Sequence, residues 1–160
     1  MPKTNKPPSG VTPAKQIAGF IAKFDPEVAK LIRAARSALR RQFPTAIEQV
    51  YDNFNFLAIG FCTTERTSDC IISVAANSKG VGLSFYHGAS LPDPNKILQG
   101  GGRQNRFIRL EGPETLRKPE VISMLNVAAE RARTPLPEKG AGYTMIKSVS
   151  EKQRPRRDTK

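Results

Sequence analysis

Apolar and polar positions alternate with two different periods along this chain, and the period changes at Phe43-Pro44. Before that point the spacing is helical. Ile17, Phe20 and Ile21 are three and one residues apart, and Pro13 can open that short helix because a first-turn proline forfeits no helical hydrogen bond. A second helix has a clear start signal: Asp25 as N-cap, Pro26 in the first turn and Glu27 at the positive end of the helix dipole. Val28, Leu31, Ile32, Ala35 and Leu39 then form a stripe that predicts one core-facing side. Phe43-Pro44 ends it, since a residue before proline resists the helical conformation.

From Thr45 the pattern turns to strands. Val50, Asp52, Phe54 and Phe56 alternate with Tyr51, Asn53 and Asn55, and FLAIGFC (56–62) and CIISVAA (70–76) are mostly apolar runs. Arg66-Thr67-Ser68-Asp69 and Asn77-Ser78-Lys79-Gly80 have turn chemistry, the second suited to a hairpin. Val81, Leu83, Phe85 and His87 share one face of a further strand, with Ser84 and Tyr86 on the other. Pro92-Asp93-Pro94 breaks the pattern, Gly100-Gly101-Gly102 makes a loop, and Arg106–Leu110 reads as a last strand. Pro119 and Glu120 open a final helix with the stripe Val121, Ile122, Leu125, Ala128 and Ala129. Two helices, four to five antiparallel strands and a closing helix define an α+β fold with the helices on one face of the sheet.

Charge changes the picture at the ends. The 160 residues carry a net charge of +12, but residues 1–15 hold three Lys and no acid, and residues 131–160 hold nine Lys and Arg against three acids. The expected organisation is a disordered basic tail (1–15), one domain (16–132) and a basic, mostly disordered tail (133–160), with a short extended piece within 140–149. Such tails give salt-dependent affinity for polyanions, so nucleic acid is a candidate partner, with Arg33, Arg36 and Arg40 of the second helix as added contacts. No apolar run is long enough to span a membrane and the first residues lack a secretion signal, so a cytoplasmic protein is expected. The two cysteines, Cys62 and Cys70, flank a turn and read as buried, reduced thiols that are cross-strand neighbours.

The stretch VGLSFYHGASLPDPNKIL, then LQGGGRQNRFIRL and a proline-started helix, resembles the YdhG-like family of bacterial domains of unknown function. The helix FDPEVAKLIRAARSALRRQFP is similar to that family's opening element, and the resemblance covers roughly residues 17–132. One segment departs from the family pattern: where many members have a W-G-x-P-like stretch, this chain has QVYDNFNF, with Tyr51, no proline, and no Trp anywhere. The resemblance implies a fold similar in architecture to frataxin. Some relatives are iron chaperones, which makes iron a candidate cargo, and most have no assigned activity.

Iron would need hard oxygen ligands. Asp25 with Glu27, Glu48 with Asp52, and Glu65 with Asp69 are the available pairs; the other reading of each is a capping or surface carboxylate. His87, the only histidine, excludes a multi-histidine site within one chain, and is either a ligand or base, or a strand-end residue bonded to backbone. Gly101, Gly102, Arg103 and Arg106 offer glycine backbone and guanidinium groups to an anion, or make a turn beside a charged sheet edge. Neither a Walker loop nor a dinucleotide fingerprint is present. Tyr51, Asn53 and Tyr86, with Ser73 and Ser84, line either a small-ligand face or a plain solvent face. No catalytic constellation is legible, and the expected function is a small non-enzymatic domain that binds a small ligand, metal or protein partner. Its alternatives are a polyanion accessory protein and an enzyme with an unrecognised acid–base site.

Overall fold

The computed structural model describes residues 10–158; residues 1–9, most of the expected N-terminal tail, and residues 159–160 lie outside the described part. Three α-helices, α1 (Pro13–Ala22), α2 (Pro26–Gln42) and α3 (Pro119–Glu130), accompany strands β1 (Ile47–Asp52), β2 (Leu57–Cys62), β3 (Cys70–Asn77), β4 (Gly80–Phe85), β5 (Arg106–Arg109) and β6 (Thr144–Val149). The sheet order is β5-β4-β3-β2-β1-β6. The fold is α+β, as the periodicity predicts, but the sheet has six strands rather than four or five and is mixed. β6 lies parallel to β1, and every other pairing is antiparallel.

Alternation along the strands gives the sheet one apolar face. Val50, Ile59, Val74, Leu83 and Ile108 align across five strands in register, and all are buried. Ile17, Ile21, Ile32, Leu39, Val121 and Leu125 from the three helices join them in one hydrophobic cluster. In α2 the buried line runs Ala29, Ile32, Ala35 and Leu39, with Val28 and Leu31 at its margin. In α3, Met124 takes the core position expected of Ile122, which is exposed. No helix of the described residues is long and apolar enough to cross a membrane.

β1 also brings two carboxylates onto this face. Glu48 and Asp52 flank Val50 at period two, and both are buried. Each is met by cations. Arg36 of α2 forks onto Glu48 through Nε (2.6 Å) and Nη2 (2.9 Å), and Thr144 Oγ1 donates to the same carboxylate at 2.7 Å. Asp52 accepts Lys23 Nζ at 2.7 Å and Arg156 Nη2 at 2.9 Å. Burial alone would push Glu48 up, but the bonds from Arg36 and Thr144, with the charges of Arg36 and Arg40, outweigh it and hold Glu48 below the usual range.

The segment expected to be mostly disordered after Arg133 is part of this structure. Gly142 N–H donates to Pro44 O at 2.8 Å, and a Cβ at Gly142 would collide with Ala46 O, so only glycine fits where the chain enters the sheet. β6 follows, and then Arg156 returns to Asp52 with its guanidinium 5.8 Å from the Phe24 ring centre. Composition hid this order because the strand partners of β6, such as Glu48 for Thr144 and Asp52 for Val149, lie more than ninety residues away, and no local pattern encodes such pairing.

Two outcomes follow. Arg156→Met strands Asp52 with Lys23 alone and should cost about 3 kcal/mol in urea unfolding. Glu48 has a depressed folded pKa, so its contribution is complete above the unfolded value of about 4.3 and is lost as pH falls through the folded value. Stability of Glu48→Gln, measured from about pH 5 to pH 3, should therefore fall less steeply than that of the parent protein.

Candidate functional site on the open sheet face

The sheet face opposite the core is covered at one end only. The segment between β2 and β3 closes that end: Gln49 Nε2 donates to Thr64 O at 2.9 Å, and the Tyr51 hydroxyl lies 2.8 Å from Thr67 Oγ1. Elsewhere a trough of about 380 Å³ runs across β2–β5. That volume lies within the range of small-molecule sites.

The floor of this trough follows from the sequence of three strands. Ala58, Ala75 and Gly82 pair across β2, β3 and β4 in one row, and Gly60, Ser73 and Ser84 in the next. A solvent-facing antiparallel surface ordinarily carries branched or charged side chains, because those fit the pleat and stay wet. Five of the six, all small and uncharged, line the trough, and Gly60 is buried beside Cys70. Packing accounts for two of them: a Cβ on Gly60 would come 3.0 Å from Cys70 Sγ, and one on Gly82 would come 3.3 Å from Ile108 O.

The walls are taller. Phe56 and Phe107 are 39% and 38% exposed, although both are large and apolar. They line the trough at opposite corners, three strand spacings or about 14 Å apart across the sheet. Polar groups gather along the β5 side. Ser84 Oγ donates to Asn105 Oδ1 at 2.6 Å, and Arg109 crosses Gly80 to donate from Nη2 to Lys79 O at 2.9 Å.

Of the residues singled out in the sequence, Tyr51 lies on this face with Ser73 and Ser84. Asn53 does not join them: it sits in the β1–β2 turn, where its Oδ1 accepts from Ser148 and its carbonyl accepts from Arg156 at 2.6 Å. Tyr86 stacks edge-on against His87, with ring centres 4.7 Å apart. β4 ends at Phe85, so His87 leaves the strand face expected for it, and its ring Nε2 lies 3.1 Å from Ser68 O. Gly101, Gly102 and Arg103 form an exposed loop tip between Gln99 and Phe107, whose backbones pair. Arg106 is turned onto that loop's own carbonyls, with Nη1 2.5 Å from Gly102 O and 2.8 Å from Asn105 O.

Five of the six carboxylates in the three pairs have internal partners, and Glu27 is exposed with none among the described residues. Glu48 and Asp52 face the helices, Asp69 accepts Thr64 Oγ1 at 2.7 Å, Glu65 accepts the Tyr143 hydroxyl, and Asp25 accepts the Asp158 backbone N–H. Two of the three α2 arginines assigned to polyanion contact also turn inward. Arg36 holds Glu48, while Arg40 donates to Ala46 O at 2.8 Å with its guanidinium 5.3 Å from the Phe61 ring centre.

The signal for the trough was present in the sequence as small residues at alternating positions, in Ala58-x-Gly60, Ser73-x-Ala75 and Gly82-x-Ser84. Its meaning required the register that lines the three pairs up. Comparison with protein-family models, curated proteins and solved structures gives no match to this chain.

The two cysteines sit at the closed end of the face. Cys62 and Cys70 are register partners, both free and buried. The interaction between the two thiols, with burial, pushes Cys62 up, and the same interaction draws Cys70 down. Because both are buried, a disulfide-exchange reagent such as DTNB should label neither within minutes in the native protein and both at once in strong urea. Rapid native labelling of either would show that the closed end opens.

Proposed function

We propose that the protein is a non-enzymatic binding domain whose open sheet face takes a flat aromatic ligand. The observation that carries this reading is the floor of five small residues between two outward-facing phenylalanines. A planar ring system lying on the sheet removes apolar floor and both Phe edges from water, and apolar burial contributes about 25 cal/mol per Å². Aromatic edge contacts from Phe56 and Phe107 add to that. The Asn105 amide and the Arg109 guanidinium on the β5 side favour a ligand with a polar or anionic substituent at one end.

The YdhG-like resemblance supports a binding role without a defined reaction, and iron delivery belongs to the same proposal only as a property of some relatives. The small-ligand reading rests on the trough, whereas five of the six carboxylates that iron delivery would use already accept bonds from this chain, which leaves Glu27 alone without a partner among the described residues. Polyanion binding is left to the surface charges of the tails, since Arg36 and Arg40 are committed to the fold.

Naphthalene-2-sulfonate has the required shape: a flat fused ring with one anionic group. Because the chain has no Trp, its fluorescence can be followed without competing indole emission. It should bind and shift the backbone amides of Ala75, Ser84 and Phe107 in NMR spectra. Ala75→Phe fills the floor without adding an indole and should weaken binding by about tenfold or more with the fold intact. Unchanged affinity in that variant, or no shift along the trough, would remove the reading.

A further inference from the structure

A second concavity, of about 390 Å³, lies at the other end of the molecule where the start of β3 meets the C-terminal end of α3. We propose that it is a separate site for a small aliphatic acid, a short-chain carboxylate or alkyl phosphate. It goes beyond the trough, with which it has no lining residue in common.

Its walls divide by chemistry. Ile71, Leu91, Ala128 and Ala132 make an aliphatic side. Ser68, His87, Ser90, Arg131 and Arg133 make a polar side. Nothing in the aliphatic side offers an aromatic face, so a linear or branched alkyl body fits it better than a ring system.

The sign of the polar side follows from its neighbours. Asp69 is the one acid in the lining, and its charge is already met by Thr64 Oγ1 at 2.7 Å and Arg133 Nη2 at 3.2 Å. The end of α3 adds about half a negative charge. Against these stand Arg131 and Arg133 in the lining and Arg66 close enough to act on Asp69. The balance is positive. Arg133 is two-thirds exposed and gives Asp69 a single nitrogen, which leaves the rest of its guanidinium fork to bond a second carboxylate or a phosphate.

His87 is oriented rather than free. A carbonyl oxygen can only accept, so the 3.1 Å contact with Ser68 O places a proton on Nε2. The same contact ties the 3₁₀ turn before β3 (Thr67–Asp69) to the one after β4 (Gly88–Ser90), across the mouth of the cleft. At Gly88, which begins the second turn, a Cβ would lie 2.6 Å from Arg106 Cβ, so the backbone there is held against β5. The cleft thus has a fixed frame as well as a chemical division.

The test uses the full chain and four probes: hexanoate, hexyl phosphate, 1-hexanol and inorganic phosphate. Titration is followed by NMR at Ile71, His87 and Ala132. Hexanoate or hexyl phosphate should shift these residues and leave Ser84 and Phe107 unmoved, which separates this site from the trough. Hexanol and inorganic phosphate should each bind at least about tenfold more weakly than the acid that combines their parts. Arg131→Gln, at an exposed residue with no ion pair among the described residues, should weaken the acid severalfold, and Ala132→Phe should abolish its binding. Equal binding of hexanol would show an apolar hollow without anion recognition. Equal binding of phosphate would show surface charge alone, and binding that survives Ala132→Phe would place the acid elsewhere; each of these outcomes overturns the proposal.

Discussion

Two carboxylates on the core face of β1 govern how the rest of the chain is arranged. A buried carboxylate without a partner costs several kcal/mol, so Glu48 and Asp52 require cations at fixed places. Arg36 answers Glu48 and sets the rotation of α2 about its axis. Lys23, at the end of α1, and Arg156, near the end of the described chain, converge on Asp52. These bonds tie together parts of the sequence more than a hundred residues apart. Well-packed apolar residues in their place would be close to neutral in energy but would not select this arrangement so narrowly.

The same arrangement decides what the surface can offer. Basic residues of α2 that look available in sequence are drawn inward by the carboxylates and by loose backbone carbonyls after α2. The core-side charges being neutralised internally, the open sheet face is left without charged residues over its central rows, apart from Arg109 at the β5 edge. An uncharged floor of small residues is a poor solvent face and a good place for a flat molecule. The second cleft has the opposite character, with an excess of positive charge beside aliphatic walls.

Local patterns recovered most of the elements. The first-turn prolines placed α1, α2 and α3, although the Asp25 side chain makes no capping bond to α2, and the apolar runs placed β2, β3 and β4 close to their observed limits. The hairpin at Asn77–Gly80 forms, with Lys79 N–H bonded to Asn77 Oδ1 at 2.8 Å and Gly80 at positive φ. Two readings went astray where the deciding partner is distant. Period-two alternation carried His87 onto a strand that ends two residues earlier, because the turn after Phe85 is set by its packing on β5. The basic composition after Arg133 suggested little order, because the strand it contains is stabilised by β1 and not by its own sequence.

By itself, then, the sequence determined the helices, the hairpin strands, the two-faced sheet and the neighbouring thiols, since each depends on contacts within a turn, a helix face or an adjacent strand. Tertiary structure alone decided the sixth, parallel strand, the cations that meet Glu48 and Asp52, and the alignment of three small-residue pairs into one floor. Those features depend on register between strands and on residues far apart in the chain, and side-chain periodicity carries no information about which distant partner a strand will meet.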